Sequence, residues 1–179
     1  VDARWAKKND ETHYGYKNHI NADSAYKLIQ DYVVTHAAVH DSQVIDQLLD
    51  HTPQADGTKR PVYADSAYRS QEREQQLADV KLPSKICEKG SRGHPLTEEQ
   101  KKNNRDKSKV RARVEHIFGA QNQMGGHFVR TLGIARAKTK VGMMNLVYNM
   151  TRLVQLLKRE AKKKNVCGSS SGELAGAPA

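Results

Sequence analysis

Two stretches near the start of the chain alternate apolar and polar residues. Over residues 13–21, Tyr14, Tyr16, Asn18 and Ile20 would share one face of a strand, and Lys17 and His19 would lie on the opposite, basic face. This period of two predicts a β-strand. A turn at Asp23-Ser24 and a β-prone run over residues 26–35 predict a second strand that closes a hairpin. The polar stretch over residues 2–12 predicts a loop.

The middle of the chain combines a short helical pattern with extended runs. Asp41 or Ser42 is placed to cap a helix of about nine residues, which Pro53 would end. The apolar run 62–64 then predicts a strand with Asp65 at its C-terminal end, and residues 81–87 predict a further strand.

Three longer helices are predicted. Ser70 caps the first, over residues 70–79, and Thr97 with Gln100 forms a capping box at the start of the second. This second helix is polar and strongly cationic, with an apolar stripe at Val110, Val114, Ile117 and Phe118. After a break at Gly125-Gly126, a third helix carries an apolar face at Val141, Met144, Val147, Thr151, Val154 and Leu157.

The length of 179 residues suits one α/β domain. We assign residues 1–165 to that domain and the Gly- and Ser-rich residues 166–179 to a disordered tail. No apolar run approaches the length of a membrane span, so a membrane partner is not expected. The N-terminus has neither a signal-peptide core nor an initiator methionine, which indicates a cytoplasmic chain that begins within a longer protein.

The net charge of the chain indicates which class of partner it binds. The formal net charge is +10, from 30 Lys and Arg against 20 Asp and Glu. A basic excess of this size favours a polyanion, with DNA or RNA ahead of an anionic membrane surface; a merely basic, soluble domain is the alternative. Cys87 and Cys167 are the only cysteines, and no Cys/His cluster has the spacing of zinc ligands.

Two carboxylates are candidates for chemistry. Asp65 ends a strand at the edge where open α/β sheets place their functional groups, and Glu115 lies in the cationic helix beside Arg111 and Arg113. Phosphoryl transfer on DNA uses divalent ions held by hard oxygen ligands of this type. On the residues alone, an Asp at a strand end is more often a cap or a salt-bridge partner, and a Glu in a basic helix is usually one half of a surface ion pair.

Four sequence motifs, in order, carry a resemblance to a known family. They are Tyr14–His19 (YGYKNH), Val39–Ser42 (VHDS), Tyr63–Tyr68 (YADSAY) and Arg111–Gly119 (RARVEHIFG). Together they resemble the C-terminal part of the catalytic domain of bacterial insertion-sequence transposases of the DDE type, in the IS-four and IS-five-like groups. The resemblance covers roughly residues 1–158. It implies an α/β fold, an RNase H-like mixed sheet flanked by helices, and DNA transposition by cleavage and strand transfer.

The resemblance also implies roles for individual residues. Asp65 matches the second catalytic Asp of the family and Glu115 its catalytic Glu, so that both would be ligands of Mg²⁺ or Mn²⁺ in a two-metal site. Arg111 matches the Arg four positions before that Glu, and Tyr68 the Tyr after the second Asp. The implied partners are DNA, as transposon ends and target, and further copies of the full-length protein, with no small-molecule substrate and a nucleoid-associated location. The residues expected to contact DNA are Lys17, His19, Tyr68, Arg69, Arg111, Arg113 and Arg130.

Two positions depart from the family pattern. A Lys is often found seven positions after the catalytic Glu, and that position here is Asn122. The first catalytic Asp of the family ends a strand before the Gly-Tyr-Lys hairpin, and no such strand is predicted before Tyr14. We therefore expect the first Asp and its strand to precede Val1, which leaves the sheet without its first strand and the metal site without its third carboxylate. The expectation that follows is an inactive fragment.

Two alternatives of different class remain at this point. One is a DNA-binding remnant without catalysis, in which Asp65 has no role. The other is a metal-dependent nuclease of the same fold, which hydrolyses DNA but does not join a cleaved end to a target.

Overall fold

The computed structural model describes residues 2–8, 10–54, 56–126 and 128–169. Strands and helices form two groups along the chain, with a three-stranded sheet first and the long helices last. The strands are β1 (Arg4–Lys8), β2 (Glu11–Ala22) and β3 (Ile29–His36), and the helices are α1 (Ile45–Leu48), α2 (Gln71–Asp79), α3 (Glu98–Gln123) and α4 (Ile134–Ser169). Two 3₁₀ turns, Asp41–Gln43 and Ser66–Tyr68, precede α1 and α2.

The sheet is antiparallel, in the order β1-β2-β3. The predicted hairpin is confirmed, since β2 pairs with β3 from Tyr16 opposite His36 onwards. The loop predicted over residues 2–12 is wrong, because residues 4–8 form strand β1 against the first half of β2. Trp5 and Tyr14 are cross-strand partners whose ring centroids lie 4.9 Å apart, and such aromatic pairs stabilise an edge strand of otherwise polar composition.

The two extended runs around Asp65 lie side by side. Residues 62–64 and 83–87 run parallel and exchange three backbone hydrogen bonds, including Val62 N to the Pro83 carbonyl at 2.9 Å. They form a single parallel bridge rather than full strands. Within the described residues, the chain is thus an α/β structure whose sheet is three-stranded and antiparallel, while an RNase H-like mixed sheet stays a prediction.

Two of the three helix starts predicted from side-chain capping are confirmed, and the cap predicted at Asp41 or Ser42 is wrong, because α1 begins at Ile45 without a side-chain cap. The Ser70 hydroxyl accepts from Arg73 N at the start of α2, and Thr97 and Gln100 form the complete capping box of α3. The helix predicted after Asp41 is much shorter than nine residues. It splits into a 3₁₀ turn, capped by the His40 ring, and the four residues of α1, since the backbone at Leu49 is already extended.

The face of α4 that packs matches the predicted one only at its start, where Val141 is buried and Met144 is partly buried. Ala137, Val141, Asn145 and Tyr148 are buried, whereas the predicted face residues Val147, Thr151, Val154 and Leu157 are exposed. Polar side chains explain this orientation of the helix: Asn145 Oδ1 accepts from both Asn18 and Gln121, and Asn149 bonds both backbone groups of Ile29. Helix α4 continues to Ser169, four residues into the predicted tail, and the rest of that tail lies outside the described residues.

Two small apolar clusters stabilise this arrangement. One joins Ile29, Ile117 and Tyr148, and therefore connects the sheet to α3 and α4. The other joins Leu77, Leu82 and Ile86, with Tyr68 packed against it. The second cluster lies beneath the segment that carries Asp65, so the candidate site is built on its edge.

Candidate metal centre

Asp65 lies where the parallel run 62–64 ends. Its Oδ1 accepts from the Ser66 amide at 2.7 Å, and its backbone carbonyl accepts from Tyr68 N at 3.0 Å, so it caps the 3₁₀ turn that follows. The side chain is half-exposed, at 52%. The predicted turn after Asp65 is confirmed, whereas the strand predicted before it is a single parallel bridge.

Helix α3 packs one face against the run that pairs with residues 62–64. Asn104 exchanges two hydrogen bonds with the backbone of Glu88, at 2.8 and 3.0 Å, and Lys107 Nζ donates to the Ile86 carbonyl at 3.0 Å. Residues 104, 108, 111 and 115 are spaced by four, three and four, which places them along one side of the helix. The same side that contacts the segment 86–88 therefore presents Arg111 and Glu115 further along.

Arg111 joins the helix to Asp65. Its Nη1 lies 2.8 Å from Asp65 Oδ1, the distance of a charge-assisted hydrogen bond. Glu115 follows one helical turn later on the same side and is exposed. The two candidate carboxylates thus come from a segment end and from the helix that an ion pair holds against it. The sequence predicts its two metal-binding carboxylates on these same types of element, the end of an extended segment and a helix.

A second cluster of charged and polar side chains surrounds Asp41. Asp41 Oδ1 is 3.0 Å from Lys17 Nζ and 3.3 Å from His19 Nδ1, and the other ring nitrogen of His19 lies 2.8 Å from the Thr35 hydroxyl. The hydrogen bond from His19, together with the hydrogen bond and the charge of Lys17, holds the pKa of Asp41 well below its usual range, against the opposing effect of burial. The His19 side chain is only 5% exposed, so its ring supports Asp41 inside the fold.

Tyr68 lies between the two clusters. Its ring packs against Leu77, Leu82 and Ile86. Burial, with the negative charges of Asp41 and Asp65, raises the pKa of the Tyr68 hydroxyl to about 12. The phenol therefore stays protonated at neutral pH and can donate to a carboxylate.

The remaining candidate DNA contacts have different surroundings. Arg69 lies 3.7 Å from Glu74 and donates to the Ile86 carbonyl at 3.4 Å. Arg113, on the exposed side of α3, donates to the Ser24 carbonyl. Arg130, in the connection between α3 and α4, is exposed. The structure thus brings Tyr68, Arg69 and Arg111 close to Asp65, and places Arg113 against the turn between β2 and β3.

The contacts of Asp41 with Lys17 and His19 are the part of the site that the sequence does not predict. Its local pattern indicates Asp41 only as a helix cap, and Lys17 and His19 only as DNA contacts. The motif Val39–Ser42, which carries part of the resemblance, is the one signal that points to Asp41. The spacing of 24 residues between Lys17 and Asp41 gives no local pattern.

The donor chemistry at Asp65 and Glu115 suits a hard divalent cation, since carboxylate oxygens are the ligands that Mg²⁺ and Mn²⁺ prefer. Among the residues that the structure describes, no group of three His, Cys, Asp or Glu side chains is arranged to hold a metal ion. In the same part of the chain, none of the helices has an apolar stretch long enough to cross a membrane.

Comparison with known proteins identifies the family. The family model described as the transposase DDE domain matches residues 1–150, so the chain belongs to the DDE transposases. A curated relative, the transposase for insertion sequence element IS1106 of Neisseria meningitidis serogroup B, is 42% identical over 118 residues. That match covers 66% of this chain and 39% of the relative, so the chain spans well under half the relative's length. No solved structure matches the chain.

Proposed function

We propose that this chain supplies two of the acidic ligands, Asp65 and Glu115, of a site that cleaves and joins DNA at the ends of an insertion sequence. The observation that carries the proposal is the 2.8 Å pair of Arg111 and Asp65, which holds Glu115's helix beside the end of the Asp65 segment. Divalent ions bound there would activate the attacking oxygen and neutralise charge on the leaving one.

The chain's own residues orient the groups that such a site needs. Arg111 offsets the charge of Asp65 and restricts its carboxylate in the absence of a cation. Arg69, Arg113 and Arg130 are the proposed phosphate contacts on the exposed surface, together with the exposed part of Arg111. Lys17 and His19, which the sequence also predicts as DNA contacts, bond Asp41, and we propose that they support the site from within.

The third carboxylate that family membership implies is not part of this arrangement among the described residues. We therefore propose that the chain alone binds DNA and metal weakly and does not cleave. The partner is DNA, which implies a location beside the nucleoid and an assembly of several copies across two transposon ends. RNase H-like topology belongs to the same proposal.

Metal binding at the two carboxylates tests the proposal without requiring activity. Mn²⁺ is titrated into ¹⁵N-labelled protein, and paramagnetic broadening of the Ser66 and Glu115 amides is measured. We expect broadening at both sites in the wild type and about tenfold weaker binding in Asp65→Asn and Glu115→Gln. Asp106→Asn, which removes an exposed α3 carboxylate paired with Lys109, is the control and should leave the titration unchanged.

The DNA products then separate the proposed function from its two alternatives. Incubation of a full-length relative with Mg²⁺ and terminal-repeat DNA should give joined products that depend on the residues matching Asp65 and Glu115. Hydrolysis without joining would identify a nuclease. Salt-sensitive DNA binding that is unaffected by Asp65→Asn, with no metal bound, would identify a DNA-binding remnant and overturn the catalytic proposal.

A further inference from the structure

We propose that two copies of this chain associate through the outer stripe of α4, a row of seven apolar side chains that the fold leaves exposed. The stripe consists of Met143, Leu146, Val147, Met150, Leu153, Val154 and Leu157. The inference rests on the proposed function, because it names the surface that joins the several copies proposed there. The association itself needs neither metal nor DNA, so it is tested apart from the catalytic proposal.

The opposite side of α4 is already occupied by the rest of the fold. Val141, Asn145 and Tyr148 are buried. Arg152, one turn further on, donates from Nε to the Tyr26 carbonyl at 2.8 Å. At about 100° per residue, these four positions of α4 lie on the side of the helix opposite to the outer stripe. The stripe therefore cannot turn inward without breaking the contacts that fix α4 on the sheet.

The exposed area of the stripe is large for a monomer. Each of its seven side chains is between 49% and 62% exposed. At roughly 100 Å² for a half-exposed Leu, Met or Val, the stripe presents roughly 700 Å², more than the roughly 300–600 Å² of the largest apolar patch on a typical monomer. It is close to the area of about 800 Å² that each partner contributes to a stable protein interface. The stripe is thus large enough to form most of a dimer interface.

The spacing of the stripe favours another helix as its occupant. Met143, Met150 and Leu157 are spaced by seven residues, and the other four members form two pairs with the same spacing. A seven-residue repeat of apolar positions is the pattern with which one helix packs along another, side chain into hole. Since every copy of the chain carries the same stripe, two copies can form a self-complementary interface about a two-fold axis.

The charges around the stripe argue against a polyanion or a lipid surface. Between residues 141 and 157, Arg152 is the only charged residue, and its guanidinium is engaged with the Tyr26 carbonyl on the other side of α4. DNA binding needs cations that reach phosphates. A helix that lies on a membrane combines its apolar face with Lys and Arg along its polar face. The stripe offers neither arrangement, which leaves an apolar partner helix as the better match.

Sedimentation equilibrium of the nuclease-treated chain tests the inference in the absence of metal and DNA. We expect a monomer–dimer equilibrium with a Kd of about 1–100 µM, because the cost of association offsets part of the apolar gain. Met150→Glu and Leu153→Glu should each raise this Kd more than about tenfold, since each places a carboxylate in the interface. Both positions are exposed in the monomer, so the circular dichroism spectrum should stay that of the wild type.

Leu132→Glu is the matched control. Leu132 lies in the connection between α3 and α4 and is 71% exposed, so this variant makes the same change of side chain and charge outside the stripe. Its Kd should equal that of the wild type. Salt gives a test without a variant. Because two copies of net charge +10 repel each other, dimers should become tighter as salt screens that repulsion, whereas binding to DNA weakens with salt.

Four results would overturn the inference: a wild type that stays monomeric up to about 300 µM, dimers that Met150→Glu and Leu153→Glu leave unchanged, an equal loss in Leu132→Glu, or association that weakens as salt rises. A monomer whose binding to phosphatidylserine vesicles depends on Met150 and Leu153 would assign the stripe to a membrane surface instead. The Mn²⁺ titration decides the proposed function separately, since a chain that binds no Mn²⁺ can still dimerise through α4.

Discussion

The carboxylate of Asp41 is almost half exposed, yet the His19 ring and the Lys17 ammonium both bond it. Its lowered pKa means that folding favours the ionised form. The stabilisation is therefore complete above the pKa of the unfolded chain, about 3.9, and is lost as pH falls through the lower pKa of the folded state.

The first prediction concerns Asp41→Asn, which removes this charge. At pH 7 we expect the free energy of unfolding to fall by about 1 kcal/mol, a modest figure because the side chain is partly exposed. The difference from wild type should shrink steadily as pH is lowered from about 5 to about 2. Urea titrations followed by circular dichroism across this range measure it. Asp31→Asn is the control, and a difference that does not depend on pH would contradict the assignment.

At the scale of single residues, the sequence locates Asp65 but does not reveal its supports. The position of Asp65 depends on the local pattern of residues 62–64 and on the turn after it, both of which are local properties. The contact of Lys17 with Asp41 joins positions 24 residues apart and arises only when β2 and the segment after β3 pack together. A basic face on β2 therefore suggests a DNA surface, whereas the fold uses it to bind a carboxylate.

At the scale of secondary-structure elements, side-chain capping predicts where α2 and α3 begin. The contribution of such a cap to the free energy of unfolding can be measured. The second prediction is that Thr97→Ala lowers the free energy of unfolding by about 1 kcal/mol, because the Thr97 hydroxyl accepts from Gln100 N in the capping box. The same change at Thr139, on the exposed side of α4, is the control. There the hydroxyl only bonds Ala135 of its own helix, and alanine's higher helix propensity should leave stability equal or slightly higher.

The third prediction compares two glycines near the end of α3. A Cβ at Gly126 would lie 2.7 Å from the Gln121 carbonyl oxygen and would also contact Met144 Sδ, so Gly126→Ala should destabilise the fold by about 1–3 kcal/mol. Gly119 lies inside α3, where an added Cβ would meet nothing within 4 Å, and Gly119→Ala should stabilise by up to about 1 kcal/mol. Thermal unfolding of both variants checks the opposite signs, and equal effects would refute the packing at Gly126.

Strand β1 and helix α4 show where predictions from the local sequence pattern fail. Strand β1 has polar residues around Trp5, and it forms because β2 offers a partner edge; the sequence around it alone favours a loop. In α4 the apolar residues are distributed around the helix, so the pattern allows more than one buried face. The side-chain amides of Asn145, which is buried, and of Asn149, which is partly buried, select one face through hydrogen bonds to β2, α3 and β3. Hydrophobicity alone does not take these bonds into account.

Across the whole molecule, the net charge of +10 is distributed between cations used inside the fold and cations left on its surface. Lys17, Lys107 and Arg73 are engaged with carboxylates, whereas Arg130 is exposed. Only surface cations can displace counterions from DNA. The net charge of the sequence therefore sets only an upper limit on the electrostatic contribution to DNA binding. The structure indicates which cations to test.

The fourth prediction follows from this division. Duplex DNA should bind with an affinity that falls as salt rises, and each cation that contacts a phosphate contributes about 0.9 to the slope of log K against log salt. Arg130→Gln should lower both the affinity and the slope by about one such contact.

Lys59→Gln is the control, because Lys59 Nζ donates to the Val80 carbonyl at 2.6 Å and should not reach DNA. Fluorescence anisotropy between about 50 and 200 mM salt measures these slopes. A slope near zero in the wild type would remove DNA as an electrostatic partner, and equal slopes for wild type and Arg130→Gln would remove Arg130 from the interface.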